Sequence, residues 1–255
     1  MEKEKSSVEI ISVFPKTAEM FVIKGRQNEY VSLPSQPLYV DLKKFARIKA
    51  SSTLPLRLPL ESLSHRMIKR TGDILVSTIV IVGLLSWLTP IIALLIKLDS
   101  KGPVFFLQRR HKRDGNVFTC IKFRSMIEND DADFLPATED DERITRFGRF
   151  LRNYFLDELP QFFNVWVGDM AFIGPRPHMI SENNKYEEII EHYNYRHKVK
   201  PGITGLSQAM GYVGETRNVQ AMRDRVQLDI FYVRHWSLWL DIRILWHTLR
   251  TIAGL

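Results

Sequence analysis

Two adjacent carboxylates, Asp157 and Glu158, stand at the centre of FGRFLRNYFLDELPQFFNVWVG, residues 147–168. Pro160 lacks an N–H and fits a helix only in its first turn. The spacing therefore predicts Asp157 as an N-cap, Glu158 to Val167 as a helix, and Gly168 as its C-terminal stop. Both acids would then lie at the positive end of a helix dipole, beside backbone N–H groups suited to a phosphate or a metal-bound anion. An Asp-Glu pair alone is an ordinary acidic N-cap; what surrounds this one decides its meaning.

Three cations elsewhere in the chain are candidates for anion contacts. In AFIGPRP, residues 171–177, Pro175 and Pro177 stiffen the backbone on either side of Arg176. A guanidinium so supported suits bidentate phosphate binding, since little ordering entropy is left to lose, and Gly174 permits close approach of a ligand. In IKFRSM, Lys122 and Arg124 are two apart and project from the same face of a strand. Each feature alone reads as a proline-rich turn or a solvated strand face. The functional reading of Arg176 is a phosphate contact, and that of Lys122 and Arg124 a phosphate or lipid-headgroup contact.

The elements that must position these residues follow from the rest of the chain. With 255 residues, 45% of them hydrophobic, it can bury one good core, and a net charge of +7 points to an anionic partner. Cys120 is the sole cysteine, so an internal disulfide and a cysteine metal site are excluded. MEKEKSSVEI has no apolar stretch behind it, so no cleavable signal peptide is expected. Residues 8–34 alternate loosely as VEIISV, EMFVIKG and EYVSL, which predicts strands; Leu38 to Ala50 reads as a short helix and Ser51 to Pro59 as a linker.

Ile74 to Leu98 carries no charge but Lys97 and is long enough, at about 1.5 Å per residue, to cross a bilayer core. Thr89-Pro90 interrupts it past the midpoint, freeing carbonyls that the Ser86 and Thr89 hydroxyls could satisfy. Both flanks are basic: residues 1–73 hold 13 Lys and Arg against 8 Asp and Glu, and Lys97, Lys101, Arg109 and Arg110 follow. A full span would strand one basic flank outside the cell, so a re-entrant helix broken at Pro90 is expected instead. Beyond it, Val104–Arg109 and Asn116–Phe123 read as strands joined at Asp114-Gly115. Glu128 to Glu142 reads as an acidic loop, Ile180 to Arg196 as a charged surface helix, and KPGITGLSQ, residues 200–208, as a glycine-punctuated loop. From Met222 onward a helix is expected in which Trp236, Trp239 and Trp246 alternate with Arg234, Arg243 and Arg250, the composition of a membrane interface.

In order, the motifs KFRSM, LDELPQFFNV, GDMAFIGPRP, KPGITGLSQ and WSLWLDIRIL resemble the bacterial sugar transferase family, the monotopic polyprenyl-phosphate phosphoglycosyl transferases, over residues 66–252. GYVGET and RVQLDIFYV resemble its glucose-phosphotransferase branch. Larger members carry further transmembrane helices and a domain upstream, so this chain resembles a short form with its own N-terminal segment. The resemblance implies transfer of a sugar-1-phosphate from a UDP-sugar to undecaprenyl phosphate, with release of UMP and a requirement for Mg²⁺. It implies Asp157 as nucleophile, Glu158 as a partner in holding Mg²⁺ or in orienting Asp157, and Lys122, Arg124 and Arg176 on phosphate. Thr204, Gln208 and Arg217 fall in the loops it assigns to nucleotide or sugar. Its Ser-Pro helix break is Thr89-Pro90 here, near Ser86. Ser207 replaces a common Trp and Val213 a frequent Arg, both bearing on base or sugar recognition.

The expected fold is α+β and mainly helical. It is a membrane-associated monotopic domain with a re-entrant helix over 61–101, a β-hairpin, and a catalytic domain over 102–255 with amphipathic interfacial helices. Residues 1–60 form a separate segment, with a small β-rich module as one option. The expected setting is the cytoplasmic face of the bacterial inner membrane, among phospholipid, at the first membrane step of exopolysaccharide, capsule or O-antigen synthesis. A homodimer is left open. A catalytically silent scaffold for polysaccharide assembly is the alternative; it has no need of the acids beside Arg176. Nucleic acid is not expected as a partner, since it would explain the charge and not the apolar segment.

Overall fold

The computed structural model describes residues 10–13, 20–23, 58–129, 134–135, 137–138, 141–212, 214 and 218–252. The chain divides into two compact units, Met1–Leu54 and Pro55–Leu255. In the first, Ile10–Val13 (β1) and Met20–Ile23 (β2) pair antiparallel with Ile10 opposite Ile23, on two of the segments whose alternation predicts strands. The helix expected over Leu38–Ala50, most of the linker and part of the acidic loop lie outside the described residues.

The second unit begins with one long apolar helix in three parts: Leu63–Val80 (α1), a π-helical turn Ile81–Leu85, and Ser86–Asp99 (α2). The helix does not end at Pro90, which lies inside α2. Its irregularity comes earlier, at the π-turn, where the Ser86 N–H reaches back to the Ile81 carbonyl. The Val82 carbonyl accepts from Ser86 Oγ at 2.6 Å, and Gly83 accepts from Trp87 Nε1 at 2.9 Å. Side chains thus satisfy carbonyls that a lengthened turn leaves open. The Ser86 hydroxyl acts as the sequence suggests, but on a turn displaced from Pro90 toward the N-terminus.

One face of this helix builds the core. Leu85, Ile92 and Ile96 pack with Phe123, Leu151 and Phe162, joined by Leu156, Leu159 and Phe172. The opposite face is bare: Ile79, Val82, Leu94 and Leu98 are each more than 60% exposed. Buried polar groups fasten the helix to the rest. Arg70 donates to the Val165 and Trp166 carbonyls at 2.6 Å each, and Asp73 accepts from the Phe172 N–H at 2.9 Å. Lys69 pairs with Asp241 at 2.7 Å.

Phe105–His111 (β3) and Val117–Phe123 (β4) form the expected hairpin, Phe105 opposite Phe123. Asp114 (φ 59°) and Gly115 (φ 75°) both turn left-handed, the conformation that Asp-Gly tolerates and a two-stranded turn requires. Arg146–Asn153 (α3) follows, its first turn capped by Thr145 Oγ1, which accepts from the Gly148 N–H at 3.0 Å.

The acids differ from expectation in their setting. Asp157 and Glu158 sit in a 3₁₀ turn, Leu156–Glu158, entered through Phe155 at φ 56°. The following helix, Gln161–Val167 (α4), starts three residues beyond Glu158, with Pro160 in the N-cap position. Asp157 is therefore not its N-cap, because the i→i−3 bonds Glu158 N–H to Phe155 and Leu159 N–H to Leu156 occupy that turn. Gly168 does end the helix, at φ 99°.

Ala171–Ile173 (β5) runs parallel to Gly202–Thr204 (β6). A Cβ on Gly202 would lie 2.1 Å from the Gly174 nitrogen, so these backbones meet at a distance only glycine allows. Ile180–Arg196 is not one surface helix. Ile180–Glu187 (α5) stops, His192 turns left-handed at φ 60°, and Tyr193–Lys198 continues as 3₁₀, with Tyr186, Tyr193 and Arg196 buried. After Leu206–Ala209 (α6), the C-terminal helix is two: Val219–His235 (α7) and Leu238–Ile252 (α8). Trp236, at the corner, is core and donates to Asp241 at 3.0 Å, whereas Trp239 and Trp246 are exposed.

Candidate active site

Four of the residues singled out in the sequence converge. The end of β4 supplies Lys122, the 3₁₀ turn Asp157 and Glu158, and the stiff segment after β5 Arg176. Glu158 is held from two sides: Lys122 Nζ reaches its Oε1 at 2.8 Å, while Arg176 grips it in a fork, Nη1 to Oε2 at 3.0 Å and Nη2 to Oε1 at 2.5 Å. The guanidinium geometry expected for a phosphate is thus displayed on a carboxylate, the same planar acceptor pattern.

The neighbouring acids are in contrasting states. Both are buried. Burial pushes Glu158 up, but the Arg176 and Lys122 charges overcome it and hold the carboxyl well below the usual range. Asp157 accepts no hydrogen bond among the described residues. Burial raises its pKa to about 6, the Glu158 charge adds to this, and Lys122, Arg152 and Arg176 oppose it. One carboxylate is paired on both oxygens and anchors two cations. The other is bare, desolvated and within their field, the condition in which an anion is most reactive toward phosphorus.

The other nominated residues do not join this cluster. Arg124 turns to the end of α2, donating to the Ser100 carbonyl at 2.7 Å and to that of Lys101. Thr204 Oγ1 meets Thr248 Oγ1 at 2.8 Å, and Gln208 Nε2 donates to the Ile203 carbonyl at 3.0 Å. Arg217 and Val213 lie outside the described residues. Ser86, Thr89 and Pro90 stay within the long helix.

Beneath Arg176 lies a polar network that the sequence did not announce. Arg196, 2% exposed, donates to the Arg176 carbonyl at 2.6 Å and pairs with Asp229 at 2.7 Å. Ser207 Oγ donates to the other Asp229 oxygen at 3.1 Å. His178 Nδ1 accepts from Arg196 Nη1 at 2.6 Å, and Tyr193 donates to Asn183 at 2.7 Å. Burial, with the Arg196 charge, holds His178 well below its ordinary pKa, so the ring is neutral. Asp229 had one legible signal: it falls on the buried face of α7 with Val226 and Val233. Arg196 had none, because a cation in a basic run reads as solvated.

The donor set suits a magnesium ion shared with substrate. Mg²⁺ binds through one or two carboxylates and completes its shell with water and phosphate oxygens. Asp157 offers both oxygens unpaired, and Glu158 Oε2 has a single partner. Among the described residues no group of three or more His, Cys, Asp and Glu forms a closed protein cage.

The family model described as bacterial sugar transferase matches residues 64–254. A UDP-glucose:undecaprenyl-phosphate glucose-1-phosphate transferase of Klebsiella pneumoniae is 48% identical over 186 residues, 72% of this chain and 40% of the relative. A protein of the same name in Escherichia coli K12 is 40% identical over 240 residues, 93% of this chain and 47% of the relative. A UDP-N-acetylgalactosamine-undecaprenyl-phosphate N-acetylgalactosaminephosphotransferase of Aeromonas hydrophila is 43% identical over 195 residues, 76% of this chain and 45% of the relative. The chain spans less than half the length of each of these three.

Proposed function

The chain belongs to the bacterial sugar transferase family, and from that premise we propose that it moves a sugar-1-phosphate from a UDP-sugar to undecaprenyl phosphate. The observation that carries the mechanism is the contrast between bare Asp157 and paired Glu158. An Asp157 oxygen attacks the sugar-bearing phosphorus, the bond to the UMP oxygen breaks, and UMP leaves with the electron pair. A phosphate oxygen of the polyprenyl acceptor then attacks the same phosphorus, and Asp157 departs as carboxylate. Two displacements let two anionic substrates use one site in turn. Arg176 and Lys122 neutralise phosphate charge, and Glu158 holds both cations in register until substrate arrives. Asp157 and Glu158 would hold Mg²⁺, which when bound supplies further charge neutralisation at the phosphates.

Both substrates must reach this pocket at a membrane surface. The proposed arrangement is monotopic: the helix Leu63–Asp99 enters the cytoplasmic leaflet of the inner membrane, with the π-turn Ile81–Leu85 rather than Pro90 as its irregular point, and both ends stay on the cytoplasmic side. Its bare apolar face and two basic flanks support this. The helix α8 would lie in the interface, since Leu238, Trp239, Ile242, Trp246 and Leu249 are all exposed and Arg243 stacks over Trp239 at 5.3 Å. The relatives' names favour UDP-glucose as donor, with an N-acetylhexosamine as the competitor. Purified chain supplied with undecaprenyl phosphate, Mg²⁺ and a panel of UDP-sugars should release UMP, most rapidly with UDP-glucose. No release from any UDP-sugar would reject the transferase reading in favour of a scaffold.

A further inference from the structure

A cavity of about 550 Å³ opens between the first turns of α1 and the segment leading into β6. Six cationic side chains line it, Arg66, Lys69, Arg70, Arg113, Lys198 and Lys200, against one carboxylate, Asp73. Three of the six are engaged. Lys69 pairs with Asp241 at 2.7 Å, Arg113 with Asp114 at 3.1 Å, and Arg70 donates to two carbonyls at the end of α4. Asp73 is occupied by the Phe172 N–H. The side chains of Arg66, Lys198 and Lys200 have no hydrogen-bond or ion-pair partner among the described residues. Lys200 Nζ and an Arg70 nitrogen converge on Gly168, where a Cβ would lie 3.3 Å and 3.4 Å from them. Burial, together with the Arg70 and Arg113 charges, pushes the Lys200 ammonium below its ordinary pKa. Asp73 and Asp169 offset only part of the charge around Lys200, and an excess of positive charge is costly unless an anion completes it.

This cavity is separate from the acid pair. Lys122, Asp157, Glu158 and Arg176 do not line it. The acids precede α4 and Gly168 ends it, so the helix's length of roughly 10 Å lies between. Its rim is apolar: Leu60, Leu63 and Met67 line it. Leu63 and Met67 are 64% and 62% exposed, continuous with exposed Leu75 and Ile79 along α1. A small aqueous anion would use the cations and leave that rim wet. An anion carrying apolar chains uses both.

We propose that this cavity binds the phosphate of an acidic membrane phospholipid, with the headgroup on Arg66, Lys198 and Lys200 and the acyl chains along the bare face of α1. Basic pockets beside membrane helices on the cytoplasmic side suit such headgroups. The proposal rests on the membrane reading of Leu63–Asp99 and not on the transfer chemistry. Retention of the chain in membranes through an alkaline wash tests that reading separately; its release would remove the premise.

The test uses the full chain in neutral detergent and follows Tm with short-chain phosphatidylglycerol, short-chain phosphatidylcholine or inorganic phosphate. Phosphatidylglycerol near saturation should raise Tm by about 5 °C, and the other two by much less. The double variant Arg66→Gln/Lys198→Gln, at two exposed positions, should lose most of that rise, and adding Lys200→Gln should abolish it. An equal rise with phosphatidylcholine would overturn headgroup recognition. An equal rise with inorganic phosphate would make this a free-phosphate site. A full response in the double variant would place the lipid elsewhere, and that variant decides the matter even if the triple one fails to fold.

Discussion

At the residue scale, two adjacent acids are made unlike by what touches them. Glu158, itself buried, binds two half-buried cations, so Glu158→Gln leaves Lys122 and Arg176 without their counter-charge and should lower stability on the order of 2 kcal/mol. Asp157 should behave oppositely. Its folded pKa, about 6, lies above the ordinary 3.8, so its stabilising contribution is present below 3.8 and lost as pH rises through 6. At neutral pH it burdens the fold, and Asp157→Asn should raise Tm while Glu158→Gln lowers it. The same group sets an acid limb: UMP release without acceptor should fall as pH drops through the Asp157 pKa, which bound Mg²⁺ would move below the metal-free value of about 6, because the nucleophile must be ionised. Leaving out the acceptor avoids titration of its own phosphate, also near 6. Calorimetry on both variants and a pH profile of the first half-reaction check these outcomes. A fall in Tm for Asp157→Asn at neutral pH would mean that Asp157 has a partner that the fold requires.

At the element scale, the site depends on how closely two short strands approach. Gly202 faces Gly174 so tightly that a methyl group would strike backbone, and Arg176 follows two residues after Gly174. Gly202→Ala should therefore destabilise by roughly 2–4 kcal/mol and weaken UMP release through a displaced Arg176. Gly72, in α1, meets nothing within 4 Å, so Gly72→Ala should be neutral or stabilise by up to about 1 kcal/mol. Equal losses in Tm and activity from the two would show that the strand contact is not what positions Arg176. The elements were unevenly legible. The Asp-Gly hairpin and the Gly168 stop follow from local backbone preference, which sequence carries directly. The 3₁₀ turn at Asp157 does not, because it is entered through Phe155 at φ 56°, a conformation that a bulky residue's own propensity disfavours. The π-turn escaped for a related reason: proline is visible in a sequence, whereas Ile81–Leu85 is five apolar residues with no breaker except Gly83. Arg196 escaped because nothing in a basic run distinguishes the one cation that is buried.

At the scale of the whole molecule, the unit Pro55–Leu255 carries an apolar helix with one face in the core and the other bare. A re-entrant path predicts that cysteines placed near Ser62 and Lys112 react only with reagents admitted to the cytosol, whereas labelling of the first from the periplasm would establish a full span. Covalent transfer through Asp157 can be followed with a UDP-sugar labelled in its β-phosphate. With Mg²⁺ and no acceptor, the wild type should release UMP and retain label, and undecaprenyl phosphate should then chase the label into lipid. Asp157→Asn should lose turnover by about a thousandfold or more and take no label. An Asp157→Asn protein that labels and turns over within a few-fold of wild type would contradict the assignment. A wild type that turns over without ever labelling would replace it with direct attack by the lipid phosphate.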